Sequence, residues 1–304
     1  MPETLRIAVT GSTGLIGSAL VRRLQADGHQ VTRLVRSRPA TGSSDVLWNP
    51  KSGEFDAARL DGYDVVIHLA GEPVSERWTA EHKAAIRTSR VVGTRLLAEG
   101  LAALPNPPKT LLSASAVGYY GNRGDEQLDE GSGSGNDFLS GVAREWEAAT
   151  ETAAKAGIRV VITRFGIALS PEGGALARLL PPFKMGGGGK LGSGKQYVSW
   201  IALSDLVEAI VFLLHRPELS GAFNLTAPEP VTNAAMSETL GHVLGRPSKI
   251  TVPAFALRMM FGEMADGALL ASQRVLPKRL LEAGFQFRYP QMEDALRAEL
   301  GAGS

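Results

Sequence analysis

The sequence predicts an α/β fold: a parallel, doubly wound sheet followed by a smaller, mostly helical C-terminal cap. Three observations carry that expectation. A short apolar run, Ile7-Ala8-Val9-Thr10, leads directly into Gly11-Ser12-Thr13-Gly14-Leu15-Ile16-Gly17, a glycine triplet spaced G-x-x-G-x-x-G. Strand-like and helix-like patterns then alternate through the first half of the chain. At 304 residues the chain is long enough for one large or two moderate cores.

The elements follow in order. After the glycine triplet, Ile16, Leu20 and Leu24 recur at helical spacing and Gly28 supplies a C-terminal stop. Val31 to Val35 is the second strand. Pro39 to Lys51 reads as a loop, and Asp64-Val65-Val66-Ile67-His68-Leu69-Ala70-Gly71 as a buried strand ending in a small-residue turn. Residues Glu81 to Leu104 read as one long helix, broken by Pro105-Asn106-Pro107-Pro108. Thr110 to Ser113 is the next strand, Phe138 to Ala156 a helix ending at Gly157, and Arg159 to Phe165 a further strand. This alternation is that of a Rossmann-type sheet, whose ligands bind beyond the carboxyl ends of the strands.

The second half has a different texture. Pro181-Pro182 and the run from Gly186 to Gly194 interrupt the pattern, and a mobile loop or hairpin is expected there. The run is not a phosphate-binding P-loop, because Lys184 stands where its first glycine belongs and Leu191 follows Lys190. Ser204-Asp205 opens a helix to about Leu214, with Glu208 as a capping-box partner, and Gly221 to Thr226 is a late strand. An Asp294 to Leu300 helix closes the chain. The expected division is a nucleotide-binding domain over residues 1–168, to which 198–226 return, and a substrate-binding cap over 169–197 and 227–304.

Composition narrows the function classes. With 32 basic and 31 acidic residues, overall charge gives no case for nucleic acid or an anionic membrane surface. The absence of cysteine excludes disulfides, thiolate metal sites and cysteine nucleophiles. The five histidines show no metal-ligand spacing. The chain enters a strand almost at once and has no uninterrupted apolar stretch of membrane-spanning length, so no signal peptide and a cytoplasmic address are expected.

The strand–turn–helix context makes the glycine triplet a dinucleotide site. Gly11 makes the tight turn, Gly14 lets the backbone approach the pyrophosphate, and Gly17 lets the helix pack on the strands. Ser12, Thr13, Leu15 and Ile16 complete the loop and the positive end of the helix. The second strand ends in Arg36-Ser37-Arg38, and no Asp or Glu stands between Gly28 and Asp45. An NAD site normally places an acid there for the ribose 2′-hydroxyl, whereas a guanidinium suits a 2′-phosphate. The expected cofactor is therefore NADP(H), bound in part by Arg36, Ser37 and Arg38.

Further segments carry a resemblance: His68-Leu69-Ala70-Gly71-Glu72, Ser89-Arg90-Val91-Val92-Gly93-Thr94, Ser113-Ala114-Ser115-Ala116-Val117-Gly118-Tyr119-Tyr120-Gly121, Arg164-Phe165-Gly166, Ser199-Trp200-Ile201, Phe223-Asn224-Leu225, and Gln273-Arg274-Val275-Leu276-Pro277-Lys278-Arg279. Together with the glycine triplet they resemble the extended short-chain dehydrogenase/reductase superfamily, in its atypical, epimerase-like branch with a C-terminal domain of unknown function. The resemblance runs over essentially the whole chain. It implies that Leu69, Ala70 and Gly71 lie against the dinucleotide, that Arg90 is either cofactor-facing or a surface charge, and that Gly166 and Ile167 reach the nicotinamide end.

The resemblance also implies a catalytic Tyr, a Lys four residues on, and a Ser sharing the substrate oxygen. Ser115 matches that Ser. The Tyr and Lys positions hold Leu139 and Ala143, and none of the five tyrosines has a Lys four residues later. Tyr119 and Tyr120 follow the same strand as Ser115 and are the substitutes, the bland alternative being rings that pack against the cap. Trp200 and Arg274 are further candidates for the pocket wall. Two readings remain: an NADP-dependent oxidoreductase or epimerase with a small-molecule substrate, or a non-catalytic NADP(H)-binding regulatory or sensor protein. The resemblance also leaves room for a homodimer paired through the long helices.

Overall fold

The computed structural model describes residues 4–301. The chain opens with β1 (Arg6–Thr10), α1 (Leu15–Ala26) and β2 (Gln30–Val35), then β3 (Val46–Asn49), β4 (Glu54–Phe55) and β5 (Val65–His68). Next come α2 (Ala80–Arg87), α3 (Gly93–Ala102), β6 (Thr110–Ala116), β7 (Gln127–Leu128), α4 (Phe138–Ala148), α5 (Glu151–Lys155) and β8 (Arg159–Phe165). The eight-stranded sheet has the order β13-β8-β6-β5-β1-β2-β3-β4, its edge strand β13 being Gly221–Leu225. All neighbours are parallel except β4 on β3. This is the doubly wound α/β architecture that the alternation predicts.

The strands are apolar on both faces because helices cover both. On one side Ile7, Val9, Ile67, Leu112 and Phe223 pack with Leu20 and Leu24 of α1 and with Leu206 and Ile210 of α7 (Leu203–Leu214). On the other, Ala8, Val66 and Leu111 pack with Leu97 and Leu101 of α3 and with Ala153 of α5. The loop expected over Pro39 to Lys51 contains β3, whose Trp48 fills a gap against Gly93 and sets its ring edge-on to His68.

Two helices differ from expectation for local reasons. The long helix is interrupted by a π turn, Thr88–Val92, which inserts one extra residue at Arg90. The helix expected over Phe138 to Ala156 divides after Ala148, where the Thr150 hydroxyl donates back to the Glu147 carbonyl.

The cap has its own core, with Leu176, Leu180 and Phe183 of α6 (Gly174–Lys184) against Trp200, Met236, Leu240 and Leu296. The glycine run is turn or irregular except at Gly189–Leu191, and it is not a hairpin. At those three residues it forms β10 (Gly189–Leu191), parallel to β15 (Ile250–Val252), and a side chain at Gly189 would overlap the Ile250 carbonyl. Between these strands lie β11 (Tyr197–Val198), β12 (Trp200–Ala202), β14 (Val231–Thr232) and α8 (Asn233–Leu244). β12 runs parallel to β9 (Ile167–Leu169), so the cap grows directly from the end of β8. The expected capping box at α7 is absent. Asp205 accepts instead from the Arg288 and Tyr289 amides at 2.9 Å each, and Glu208 pairs with Arg23.

After α9 (Ala254–Phe261) the tail divides between the two bodies. β16 (Arg274–Val275) pairs with β7, and Leu280 of α10 (Lys278–Glu282) and Phe285 join the sheet core. α11 (Met292–Glu299) packs in the cap. No described helix is long and apolar enough to cross a membrane.

Candidate active site

The glycine turn is specified by the room it lacks. Gly11 adopts φ +65°, and a Cβ there would lie 2.9 Å from the Ala70 amide nitrogen. A Cβ on Gly17 would overlap the Gly11 carbonyl oxygen, so this glycine lets α1 start against the turn. Gly14 is different. The nearest atom to its Cβ position is the Gly11 oxygen at 3.3 Å, and its outer side is exposed. Gly14 is the N-cap and has no capping side chain, so the first amides of α1, at Leu15, Ile16 and Gly17, stay free for an anion. Ser12 is buried and Thr13 is exposed beside them. Leu15 touches the 173–174 turn that opens the cap. The dinucleotide fits this cradle, because the two crowded glycines shape it and the third leaves one side open.

A hydrogen-bonded floor lies under the turn. Thr10 Oγ1 accepts from the Leu69 and Ala70 amides at 3.0 and 3.1 Å. Its own proton therefore goes to His68 Nδ1, 2.7 Å away, and His68 Nε2–H donates to Thr94 Oγ1 at 2.9 Å. Burial drives the His68 pKa down to about 3, the charge on Arg90 adding to the effect. The ring is a neutral spacer that fixes where β5 ends.

Arg90 is not a surface charge. The π turn directs it inward, where Nη1 donates to the Glu72 carbonyl at 2.9 Å, and the guanidinium lies over Trp146. Its other nitrogens face Gly71, whose Cβ position lies 3.2 Å from Nη2. Burial lowers its pKa to about 10, and it has no carboxylate within ion-pair distance among the described residues. Arg36, Ser37 and Arg38 are exposed at the end of β2. The nearest acid that follows, Asp45, is occupied by Arg33 at 2.7 and 3.1 Å. Gly166 leaves β8 where a Cβ would meet the Ser199 carbonyl at 2.7 Å, and the Ile167 amide donates to that same oxygen.

Beyond the floor, β6, β8 and β13 bring Ser115, Arg164 and Asn224 to one level, in register with one another. Ser115 Oγ donates to Glu147 Oε1 at 2.6 Å. Arg164 clamps both oxygens of Glu147 at 2.8 Å and donates from Nη1 to the Tyr120 hydroxyl at 2.9 Å. Tyr120 donates onward to Asn224 Oδ1 at 2.7 Å, and Asn224 Nδ2 donates to the Leu276 carbonyl at 3.0 Å. Burial, despite Arg164, raises the Tyr120 pKa to about 12. Burial opposes the charge of Arg164, but its bonds to Glu147 and Tyr120 prevail and it stays cationic.

Tyr119 stands apart from this chain of bonds. Its ring lies 3.5 Å from the Arg164 guanidinium carbon, and its hydroxyl has no hydrogen-bond partner among the described residues. Leu139, where the resemblance implies the Tyr, packs with Trp78 and Phe138 under the cap. Trp200 is buried in the cap core, donating to the Glu229 carbonyl, while Arg274 stacks on Tyr197. Sequence reading missed Glu147 and gave Arg164 and Asn224 no role. The available signal was a lone arginine in the otherwise apolar Val160-Val161-Ile162-Thr163-Arg164-Phe165.

Residues 7–226 match the NAD dependent epimerase/dehydratase family, and residues 252–299 match a domain of unknown function (DUF1731). The chain belongs to this epimerase/dehydratase family. An epimerase family protein of Mycobacterium bovis is 45% identical over 95% of this chain and 96% of its own length. The crystal structure of human epimerase family protein SDR39U1 with NADPH matches at 33% identity and a TM-score of 0.90, covering 98% of this chain and 99% of that one. A nucleoside-diphosphate sugar epimerase from Corynebacterium glutamicum matches at 41% identity and a TM-score of 0.82, covering 99% of this chain. This chain spans only 59% of that longer structure. Membership is that of an NAD(P)-dependent, epimerase-like protein.

Proposed function

We propose that the protein is an NADP(H)-dependent oxidoreductase or epimerase acting on a small hydroxyl- or carbonyl-bearing molecule, with a sugar nucleotide among the candidates. The observation that carries the cofactor assignment is at the end of β2. Arg36 and Arg38 are exposed there without a carboxylate partner, and Asp45 is held by Arg33. Two guanidinium groups without a carboxylate partner among the described residues favour a 2′-phosphate, and no Asp or Glu stands between Gly28 and Asp45 to accept from a 2′-hydroxyl. The human relative solved with NADPH supports the same reading. Gly11, Gly14 and Gly17 with Ser12, Thr13, Leu15 and Ile16 would hold the pyrophosphate. Leu69, Ala70, Gly71 and Arg90 would line the middle of the cofactor, and Gly166 and Ile167 its nicotinamide end.

When bound, NADP(H) supplies or accepts the hydride. The chain's own residues must then hold and move one proton. In this proposal Tyr119 is the acid/base, because its hydroxyl is uncommitted and Arg164 lies against its ring. Tyr120 supports it from the hydrogen-bonded chain. The Ser115 proton is given to Glu147, so Ser115 offers lone pairs only and positions rather than protonates.

The second reading, a non-catalytic NADP(H) sensor, is favoured by Leu139 and Ala143 and by the burial of Ser115. Calorimetric titration with NADPH and NADH, followed by turnover assays, separates the two. NADPH is expected to bind far more tightly than NADH, and Arg36→Ala to weaken it about tenfold, the worth of one charge-assisted bond. Equal affinity for both nucleotides would refute the NADP assignment. Tyr119→Phe should leave binding intact and lower turnover by roughly 10²-fold or more. Tight NADPH binding with no turnover across hydroxyl and carbonyl substrates would favour the sensor.

A further inference from the structure

The balanced overall charge conceals a segregated one. Residues 173–204 and 239–262 contain no Asp or Glu. These two acid-free segments are neighbours in the fold. Gly186 lies against Pro247, β10 pairs with β15, and Gly192 lies against Ala254. The ribbon they form continues into α9.

The same ribbon carries most of the molecule's exposed apolar side chains. Met185, Met259, Phe255 and Met260 are 80%, 74%, 65% and 54% exposed, the four highest values among the described large apolar residues, and Ile250 is 49% exposed. On α9 the only fully buried side chain is Leu257, and Phe255 and Met259 are one turn apart on the opposite face. Lys184, Arg246 and Lys249 are exposed alongside, and none has a carboxylate within ion-pair distance among the described residues. Of the acids that border the ribbon, Glu263 is held by Lys83 and Asp266 by Arg258, both just beyond α9, while Glu238 on α8 is exposed and unpaired among the described residues.

We infer that this face of the cap docks on an anionic lipid surface. Flexible apolar side chains flanked by unpaired cations match a bilayer in two ways. Phe255, Met259 and Met185 enter the acyl boundary, while Lys184, Arg246 and Lys249 meet the phosphates. A protein partner is less well matched. Its anchoring side chains would need pockets, and two surface cavities of the molecule lie elsewhere, one lined by α1 and α7 and one by the 38–43 loop.

The test is co-sedimentation of the full chain with vesicles of phosphatidylcholine, with and without about one-third phosphatidylglycerol. The wild type should sediment with the mixed vesicles only and be released by salt. Phe255→Ser with Met259→Ser should weaken this at least about tenfold, and Lys184→Gln with Lys249→Gln should abolish the salt-sensitive part. All four positions are exposed, so the variants should keep the wild-type melting temperature and NADPH affinity. Three results would overturn the inference. The first is no sedimentation with either vesicle. The second is equal sedimentation with both. The third is a wild-type dimer, seen by analytical ultracentrifugation, that the Phe255→Ser, Met259→Ser variant loses without any vesicle binding; this would make the face a contact between two copies.

Discussion

The two halves of the candidate site are made of different material. The nucleotide half is backbone: a turn at residues 10–17, a helix start and the end of β5. It works because atoms are missing, at Gly11 and Gly17 above all. The other half is a network of side chains beside Tyr119, made of Ser115, Tyr120, Glu147, Arg164 and Asn224, each with a donor or acceptor role in it. It works because every partner is present. The first should therefore fail through added volume, and the second through removed charge.

The largest effect is expected in the second half. Glu147→Ala would leave Arg164 buried without its counter-charge and Ser115 without an acceptor, which should cost about 3–5 kcal/mol in urea unfolding. Adding Arg164→Met to Glu147→Ala removes the stranded charge and should recover part of that loss. Strictly additive losses would mean that the pair contributes through packing alone, and the contrast between the two halves would then collapse.

The same contrast explains what could be read from the sequence. The glycine turn lies within eight contiguous residues, Thr10 to Gly17, between a strand pattern and a helix pattern, so pattern alone locates it. The network draws one residue each from β6, the turn after it, α4, β8 and β13. Nothing along the chain announces that Ser115 and Glu147 will meet. The doubly wound fold was legible because periodicity is local. The strand at Gly189 is not legible because its partner, β15, lies some sixty residues away, and this glycine answers the Ile250 carbonyl rather than a turn.

In the first half, the next effect separates two glycines that the motif treats alike. Gly17→Ala must displace α1 or the turn, so a loss of about 1–3 kcal/mol and of NADPH affinity is expected. Gly14→Ala asks the Gly11 oxygen to give by only a few tenths of an ångström, so its melting temperature should move less while its NADPH affinity falls, because the methyl group narrows the open side of the cradle. Calorimetry and thermal unfolding on both variants decide it. Equal destabilisation would show that the open side of Gly14 plays no separate part.

The smallest effect near neutral pH belongs to the floor that joins the halves. His68 is buried and neutral, with a folded pKa of about 3 against a model-peptide value of 6.5. A depressed pKa contributes stability in full above pH 6.5, and that contribution is lost as pH falls toward 3. Over this interval the unfolded chain takes up a proton that the folded chain refuses, so stability should drop by about 1.4 kcal/mol per pH unit from this residue. Arg90, the cation whose charge adds to the depression, stays charged throughout and does not change the sign. His68→Gln removes the linked proton. The variant should be weaker than wild type at pH 7.5, where the bonds to Thr10 and Thr94 are disturbed, and the gap should narrow as pH is lowered from 6.5 to 5. Parallel stability curves over that interval would mean that His68 takes up its proton in the folded state too, and the neutral spacer between turn and network would have to be abandoned.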